Sequence, residues 1–257
     1  MAIDVGKLSI TQIDSITCFN NANELEFIMD EIQEGNINNT QEKVDVTGKN
    51  GRKILSLKKN KAVIVTATNG FVVAGALSAQ TGSDIENGSF KVRKTEIVAV
   101  TSNSATLSGT PVGTAGAEIG FAYKKNANGT LGTKYEQDAT ASSTGKFAFS
   151  DGTLTFFADD VQDGQEVVVF YDEEVEAAKI SNDSETYSKV LKMYIDVTVQ
   201  DNCDKLYHGQ FIIPRADFSG EFDLSMGGDP TVHNIEAESL AGGCSNSTAL
   251  WDFIIFE

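Results

Sequence analysis

The chain has 257 residues with 40% hydrophobic content, enough to bury a core without staples. Its 37 acidic and 20 basic residues give a formal net charge of −17, which argues against general affinity for nucleic acid, because neutralising phosphates needs accumulated Lys and Arg. Three cysteines (Cys18, Cys203, Cys244), an odd set with neither CxxC nor metal-ligand spacing, fit a reducing compartment and read as small buried hydrophobes.

Abundant Gly, only three Pro and recurrent short runs of Thr, Val, Ile and Phe predict an all-β chain. The opening "MAIDVGKLSI" lacks the basic patch and apolar run of a secretory signal, and no stretch approaches the roughly 20 apolar residues of a membrane span. These features predict folding in cytoplasm. Strands are expected at 8–18 and 24–33, the second readable also as a short helix, and then at 43–48 and 61–69. Between these last two lies "GKNGRKILSLKKNKAV", which departs from the acidic character of the chain. Lys43, Lys49, Arg52, Lys53, Lys58, Lys59 and Lys61 occupy a stretch of nineteen positions with only Asp45 opposing them. The segment 70–82 is expected to hold one short helix.

Further strands are expected at 90–100, 104–109, 117–124, 147–150 and 153–158. Residues 101–150, rich in Gly, Ala, Ser and Thr, form either an inserted β segment or a long loop within a single domain spanning 1–257. "GQEVVVFYDEE" (164–174) reads as a strand covered on both faces. In "VLKMYIDVTV" (190–199), Leu191, Met193, Ile195, Val197 and Val199 share one face. Strands follow at 206–213, at 217–225, at 231–240 and in the closing "ALWDFIIFE". The 217–225 stretch, "DFSGEFDLS", alternates Phe218, Phe222 and Leu224 against an acidic face of Asp217, Glu221 and Asp223.

Catalytic patterns are missing from the sequence. His208 and His233 have no metal-ligand neighbours and read as polar residues on strand faces. Neither GxSxG nor a P-loop is present. The pairs Asp159–Asp160 and Glu173–Glu174 raise calcium or glycosidase chemistry, but the EF-hand pattern is absent and adjacent acids usually form solvated faces. No enzyme, cofactor or metal is predicted. The Asn-x-Ser/Thr matches at 38, 128, 182 and 246 read as polar turns. What stands out is complementary charge: the cations of 43–61 against an acidic 151–185 that includes Asp172, Glu173 and Glu174. Such a pair of segments either pairs within the fold or registers one subunit on another.

The order of features resembles the major tail tube proteins of tailed bacteriophages over most of the chain. "ITCFNNANELEFIMDEIQEGNI" followed by "VTGKNGRKILSLKKNKAVIVTATNG" is similar to the family's opening strands joined by an extended basic loop. "FVVAGALSAQTGSD" resembles its short helical segment. "KFAFSDGTLTFFADDVQDGQEVVVFYDEE" looks like the DGxxVxVxY strand pattern of phage virion β proteins. The end, from "VLKMYIDVTV" through "IIPRADF" to "ALWDFIIFE", looks most like a tube protein.

The resemblance implies a mainly antiparallel, tail-tube-like β-sandwich or half-barrel with a short helix and an extended basic hairpin or arm. It also implies stacked, hexameric rings forming the hollow tube of a phage virion, assembled in host cytoplasm. Partners would be further copies of the chain and other tail proteins (tape measure, terminator, baseplate or tip, sheath), with DNA passing through and no membrane. On that reading Lys49, Arg52, Lys53, Lys58, Lys59, Lys61, Asp172, Glu173 and Glu174 are intersubunit contact candidates, and Asp217, Glu221 and Asp223 are candidates for lining the lumen. The alternatives are a capsid decoration or head–tail connector protein, or a carbohydrate-binding, adhesin-like β-sandwich. The last would call for exposed aromatic platforms, whereas the aromatics fall mostly on core-facing strand positions.

Overall fold

The computed structural model describes residues 6–227, 230–242 and 248–257. The chain separates into two compact units, residues 1–86 with 179–257, and residues 87–178. The second is inserted into the first, and the insertion begins and ends where Glu86 and Lys179 form an ion pair at 2.8 Å.

Unit 1 is built on one antiparallel sheet. Its strands are β1 (Leu8–Phe19), β2 (Leu25–Met29), β3 (Ile32–Thr47), β4 (Lys53–Asn69), β12 (Val190–Asp201), β13 (Leu206–Phe218), β14 (His233–Ser239) and β15 (Asp252–Phe256). They lie in the order β2-β1-β12-β13-β14-β4-β3. One edge of β13 pairs with β12, and its other edge is shared by β15 at 208–212 and β14 at 216–218. β1 and β3 do not pair directly, yet the sheet curls enough to bring Gly35 against Ile13, where an added Cβ would lie 2.3 Å from the Ile13 methyl. The result is a half-barrel.

Period-two alternation explains the interior. All five alternate apolar residues of β12, Leu191 to Val199, are buried, and they meet Ile16, Cys18, Phe27, Met29, Val65, Ala67, Ile213, Phe218 and Ile235. Helix α1 (Ala74–Thr81) covers part of this core with Ala76 and Ala79. It lies so close to β2 that a Cβ at Gly75 would sit 2.6 Å from the Glu26 carbonyl oxygen. Gly82, at φ 78°, ends the helix and returns its N–H to the Ser78 carbonyl at 2.8 Å.

Unit 2 has its own sheet, ordered β5-β11-β7-β8-β9-β10-β6, and its own core around Phe147, Leu154, Phe156, Val167, Val169 and Tyr171. The strands are β5 (Glu86–Ala99), β6 (Ser104–Thr106), β7 (Phe121–Lys125), β8 (Leu131–Gln137), β9 (Lys146–Ser150), β10 (Thr153–Phe156) and β11 (Glu166–Lys179). β7 pairs antiparallel with β8 and β11, and β10 with β9 and β6, while β8 and β9 are parallel. Residues 101–150 fall inside this unit. At its edge the Tyr171 hydroxyl donates to Glu96 at 2.8 Å, and burial together with that carboxylate pushes the phenol up to about 12. Burial acts against charge on Glu96, but the Ser108 N–H and the Tyr171 hydroxyl hold it below the usual carboxylate range.

The expectation of a mainly antiparallel β chain with one short helix holds, and 24–33 is not a helix but divides between β2 and the start of β3. Three expectations are corrected. The stretch 217–225 is strand only to Phe218. Beyond it the chain keeps the alternating exposure of a strand, but the segment belongs to no sheet ladder. The strand at 131–137 was not anticipated, because "LGTKYEQ" sits in a polar context with a single large apolar residue besides Tyr135. Cys18 is buried, and burial pushes its thiol up, but Cys203 is exposed in a hairpin turn. Cys244 lies outside the described residues.

His233 is fully buried and joins the helix to the sheet. Its Nδ1 accepts the Val73 N–H at 3.2 Å and its Nε2 lies 2.8 Å from Gln80 Oε1, an arrangement that suits the neutral ring protonated on Nε2. Burial holds its pKa below the ordinary imidazole value. The unfolded chain therefore binds the proton first as pH falls below about 6.5, so stability falls from there until the folded state also titrates. Thermal unfolding of the wild type should lose more Tm between pH 7.5 and pH 5.5 than that of His233→Asn, and equal losses would contradict this linkage.

Candidate assembly surface

Strands β3 and β4 are much longer than their places in the sheet require. β14 pairs with β4 only from Ile64 to Asn69, whereas the β3–β4 ladder runs on from Asn39↔Val63 to Thr47↔Lys53. A short 3-10 turn at Lys49–Gly51 closes it. At about 3.4 Å per residue the two-stranded part reaches on the order of 25 Å past Thr40. Residues 53–61 are all exposed, while β4 from Val63 onwards alternates with buried positions. The sequence-predicted strands at 43–48 and 61–69 are thus pieces of one longer hairpin, and the basic segment is its arm.

A one-residue irregularity gives the arm its two faces. Thr40 opposes Ala62 but Glu42 opposes Lys59, so β4 carries one extra residue there, with Asn60 at φ 49°. Such a bulge reverses the side-chain phase of the strand that carries it. Val63, Val65 and Ala67 face the core, and without the bulge Leu55 and Leu57 would share that face. With it, Leu57 stands opposite Val44 and Leu55 opposite Val46, on the outward side that carries Thr40 and Ala62. The four form an apolar stripe exposed by 42 to 52%, bounded by Glu42 and Lys59 at 3.8 Å. The other face carries Lys43 opposite Lys58 and Asp45 opposite Ser56.

Among the sequence-predicted contact residues, Lys53 forms an ion pair with Asp45 and holds that carboxyl below its usual range. Lys49, Arg52, Lys58 and Lys61 make no salt bridge among the described residues. On unit 2, Asp172 pairs with Arg93 at 2.9 Å, and Glu173 is engaged by Lys94 and by the Thr110 N–H at 2.9 Å. Of the three unit 2 acids, Glu174 has no salt bridge among the described residues. In unit 1, Glu221 and Asp223 come together with Glu236 around a shallow depression of about 520 Å³ floored by Thr66, Thr68 and Asn234. Asp217 stands opposite Glu238, at the end of β13. The three lumen candidates therefore belong to an acidic region shared with β14, whose exposed Glu236 and Glu238 sequence reading missed. Strict alternation in "HNIEAES" was the available signal.

Three features went unread in the sequence. The apolar stripe is one, masked by the count of lysines around it. A second is a groove of about 710 Å³ at the open side of the half-barrel, lined by Ile10, Ile13, Ile37, Ile195, Phe211 and Trp251 among others. The third is an aromatic cluster on unit 2, where Phe121, Tyr123 and Phe170 lie 5.7 to 6.4 Å apart in part-exposed positions. Those rings meet at 47 to 82° with Lys134 over Phe121, so they lack the coplanar faces of a saccharide platform.

Among the described residues no group of His, Cys, Asp and Glu could hold a metal ion, and no helix is long and apolar enough to cross a membrane. The features that remain are sheet edges, a two-faced arm and clustered surface charge. They are the distinctive surfaces of this β protein, and they suit contact with other protein. The chain belongs to the YomU/Tube protein family, whose profile matches residues 9–252, nearly its whole length. This agrees with the resemblance to tail tube proteins and makes it a phage tube-related structural protein. No curated protein matches the chain.

Because the stripe lies outside the core cluster of one copy, Leu55→Ser with Leu57→Ser should change the stability of the isolated chain by less than about 0.5 kcal/mol. Chemical denaturation of the monomer measures this, and a loss above about 2 kcal/mol would show that the stripe supports the fold itself.

Proposed function

We propose that the protein polymerises as stacked rings, six copies to a ring, into the hollow tail tube of a phage virion, through which DNA passes. The observation that carries this reading is the arm. A two-stranded hairpin of this length is marginal in water by itself, and one with an exposed apolar face is a liability unless something covers it. In a tube, the next copy covers it.

The rest of unit 1 suits the same assembly. Its sheet path ends in two edges, β2 and β3, and joining edges between neighbouring copies removes exposed backbone partners while closing a continuous inner barrel. Heterologous contacts that close into rings and also repeat along an axis give an open filament. Asp217, Glu221 and Asp223, with Glu236 and Glu238, would line the lumen and repel DNA phosphates, so that the genome does not adhere in transit. Lys49, Arg52, Lys53, Lys58, Lys59 and Lys61 would steer and register the arm on acidic surface of another copy, Asp172, Glu173 and Glu174 included. The tape measure, terminator, baseplate or tip and, in a contractile tail, the sheath would be its further partners, met during assembly in host cytoplasm.

Negative-stain electron microscopy of the purified protein across concentration and salt tests the reading. Hollow tubes of uniform width with a regular axial repeat are expected. Lys58→Glu, Lys59→Glu and Lys61→Glu together should raise the concentration needed for tubes at least tenfold while leaving monomer Tm unchanged. A closed oligomer that binds capsids would favour a decoration or connector protein instead, and tubes unaffected by the triple reversal would remove the cations from the contact.

A further inference from the structure

Among the described residues two apolar surfaces of unit 1 are uncovered, and they are complementary in shape: one is a ridge and the other a groove. We infer that the stripe of Val44, Val46, Leu55 and Leu57 seats in the groove lined by Ile10, Ile13, Ile37, Ile195, Phe211 and Trp251 of a second copy of this chain. The inference rests on the tube reading and specifies the contact on which stacking would depend.

A copy cannot fill its own groove. Ile195 lies on the inner face of the half-barrel, as do the groove-lining Val65 and Ala67 of β4, from which the arm continues. On β3, Val44 and Val46 keep the outward phase of Thr40, the bulge at Asn60 brings Leu55 and Leu57 to that same face, and the ladder stays paired to Thr47 through one further irregularity beside Val46. The ridge therefore points away from the groove it is tethered to, and only another molecule can bring the two together.

Dimensions and charge agree. Two successive cross-strand pairs span about 7 Å along the arm and about 5 Å across it, a compact ridge of four branched side chains. The groove, at about 710 Å³, has room for it. The arm segment 43–61 holds seven cations and one anion, which leaves thirteen cations and thirty-six anions for the rest of the chain. Any other copy therefore attracts the arm, and Glu34 at the groove wall presents the required sign near the seat. Once the stripe is seated, the cation-bearing face, with Lys43 and Lys58, is left towards solvent or acidic surface.

A photo-crosslinking phenylalanine analogue at Leu57, in an equimolar mixture of ¹⁴N- and ¹⁵N-labelled chains, reads the contact directly. Mass spectrometry should find mixed-isotope crosslinks to peptides containing residues 10–16, 32–39 or 251. Replacing the rest of the stripe by polar residues (Val44→Ser, Val46→Ser and Leu55→Ser) leaves the core cluster intact, so the variant should keep its monomer Tm and lose these crosslinks at least tenfold. Crosslinks to other surfaces, crosslinks within one chain only, or a stripe variant that crosslinks as well as its parent would each overturn the inference. If tubes still form in that event, the tube reading stands without this contact. If neither tubes nor intermolecular crosslinks form, both readings fall.

Discussion

The phase of one strand decides what this protein can offer to another copy. In β4 the residues before and after Asn60 belong to opposite faces, because a single extra residue there costs one step of a period-two pattern. Val63, Val65 and Ala67 go to the core of unit 1, and Leu55 and Leu57 go outward. Had the alternation of β4 continued unbroken, Leu55 and Leu57 would have lain in line with the half-barrel interior, away from Val44 and Val46. The bulge keeps the core closed at its proper length and converts the surplus hairpin into a surface. Asn suits the position, since its short polar side chain tolerates the left-handed backbone, and its amide also donates to Glu42 at 2.8 Å.

This arrangement separates what folds from what assembles. The fold of unit 1 draws on the alternating residues of β12, the helix held close at Gly75 and the buried His233 bridge, none of which lies in the arm. Unit 2 has a separate core and a separate polar anchor in Glu96 and Tyr171. The arm can therefore be specialised for contact, with apolar side chains for burial on one face and cations for steering on the other. The charge is divided in the same way: seven of the twenty cations lie in 43–61, against one acid, while the rest of the chain is strongly acidic.

Much of the fold was legible in the sequence. β12 and the closing strand are legible from alternation, α1 from apolar residues on several faces of 70–82, and the antiparallel class from the family resemblance. The family resemblance rested on the same patterns and agrees with the family match. What failed did so for local physical reasons. "SGEFDLS" alternates like a strand but belongs to no sheet ladder, and alternation alone does not supply one. "LGTKYEQ" is a strand without an apolar face, and it is recruited by its neighbours rather than by its own pattern. The basic count at 43–61 was read correctly, but Val44, Val46, Leu55 and Leu57 were hidden within it, because the register that aligns them depends on a bulge that no residue type announces. The groove was equally invisible, since Ile10 and Trp251 are 241 positions apart and meet only through the curl of the sheet.

Residues 43–61 form an exposed arm in the free chain, and in the proposed assembly they become a buried contact. Amide hydrogen exchange, compared between monomer and assembled protein, measures that change residue by residue. Peptides covering 43–47 and 53–58 should exchange rapidly in the monomer and at least tenfold more slowly after assembly, while peptides from β12 stay protected in both. Arm amides that exchange at one rate in the two states, beside β12 amides that behave as stated, would contradict the account.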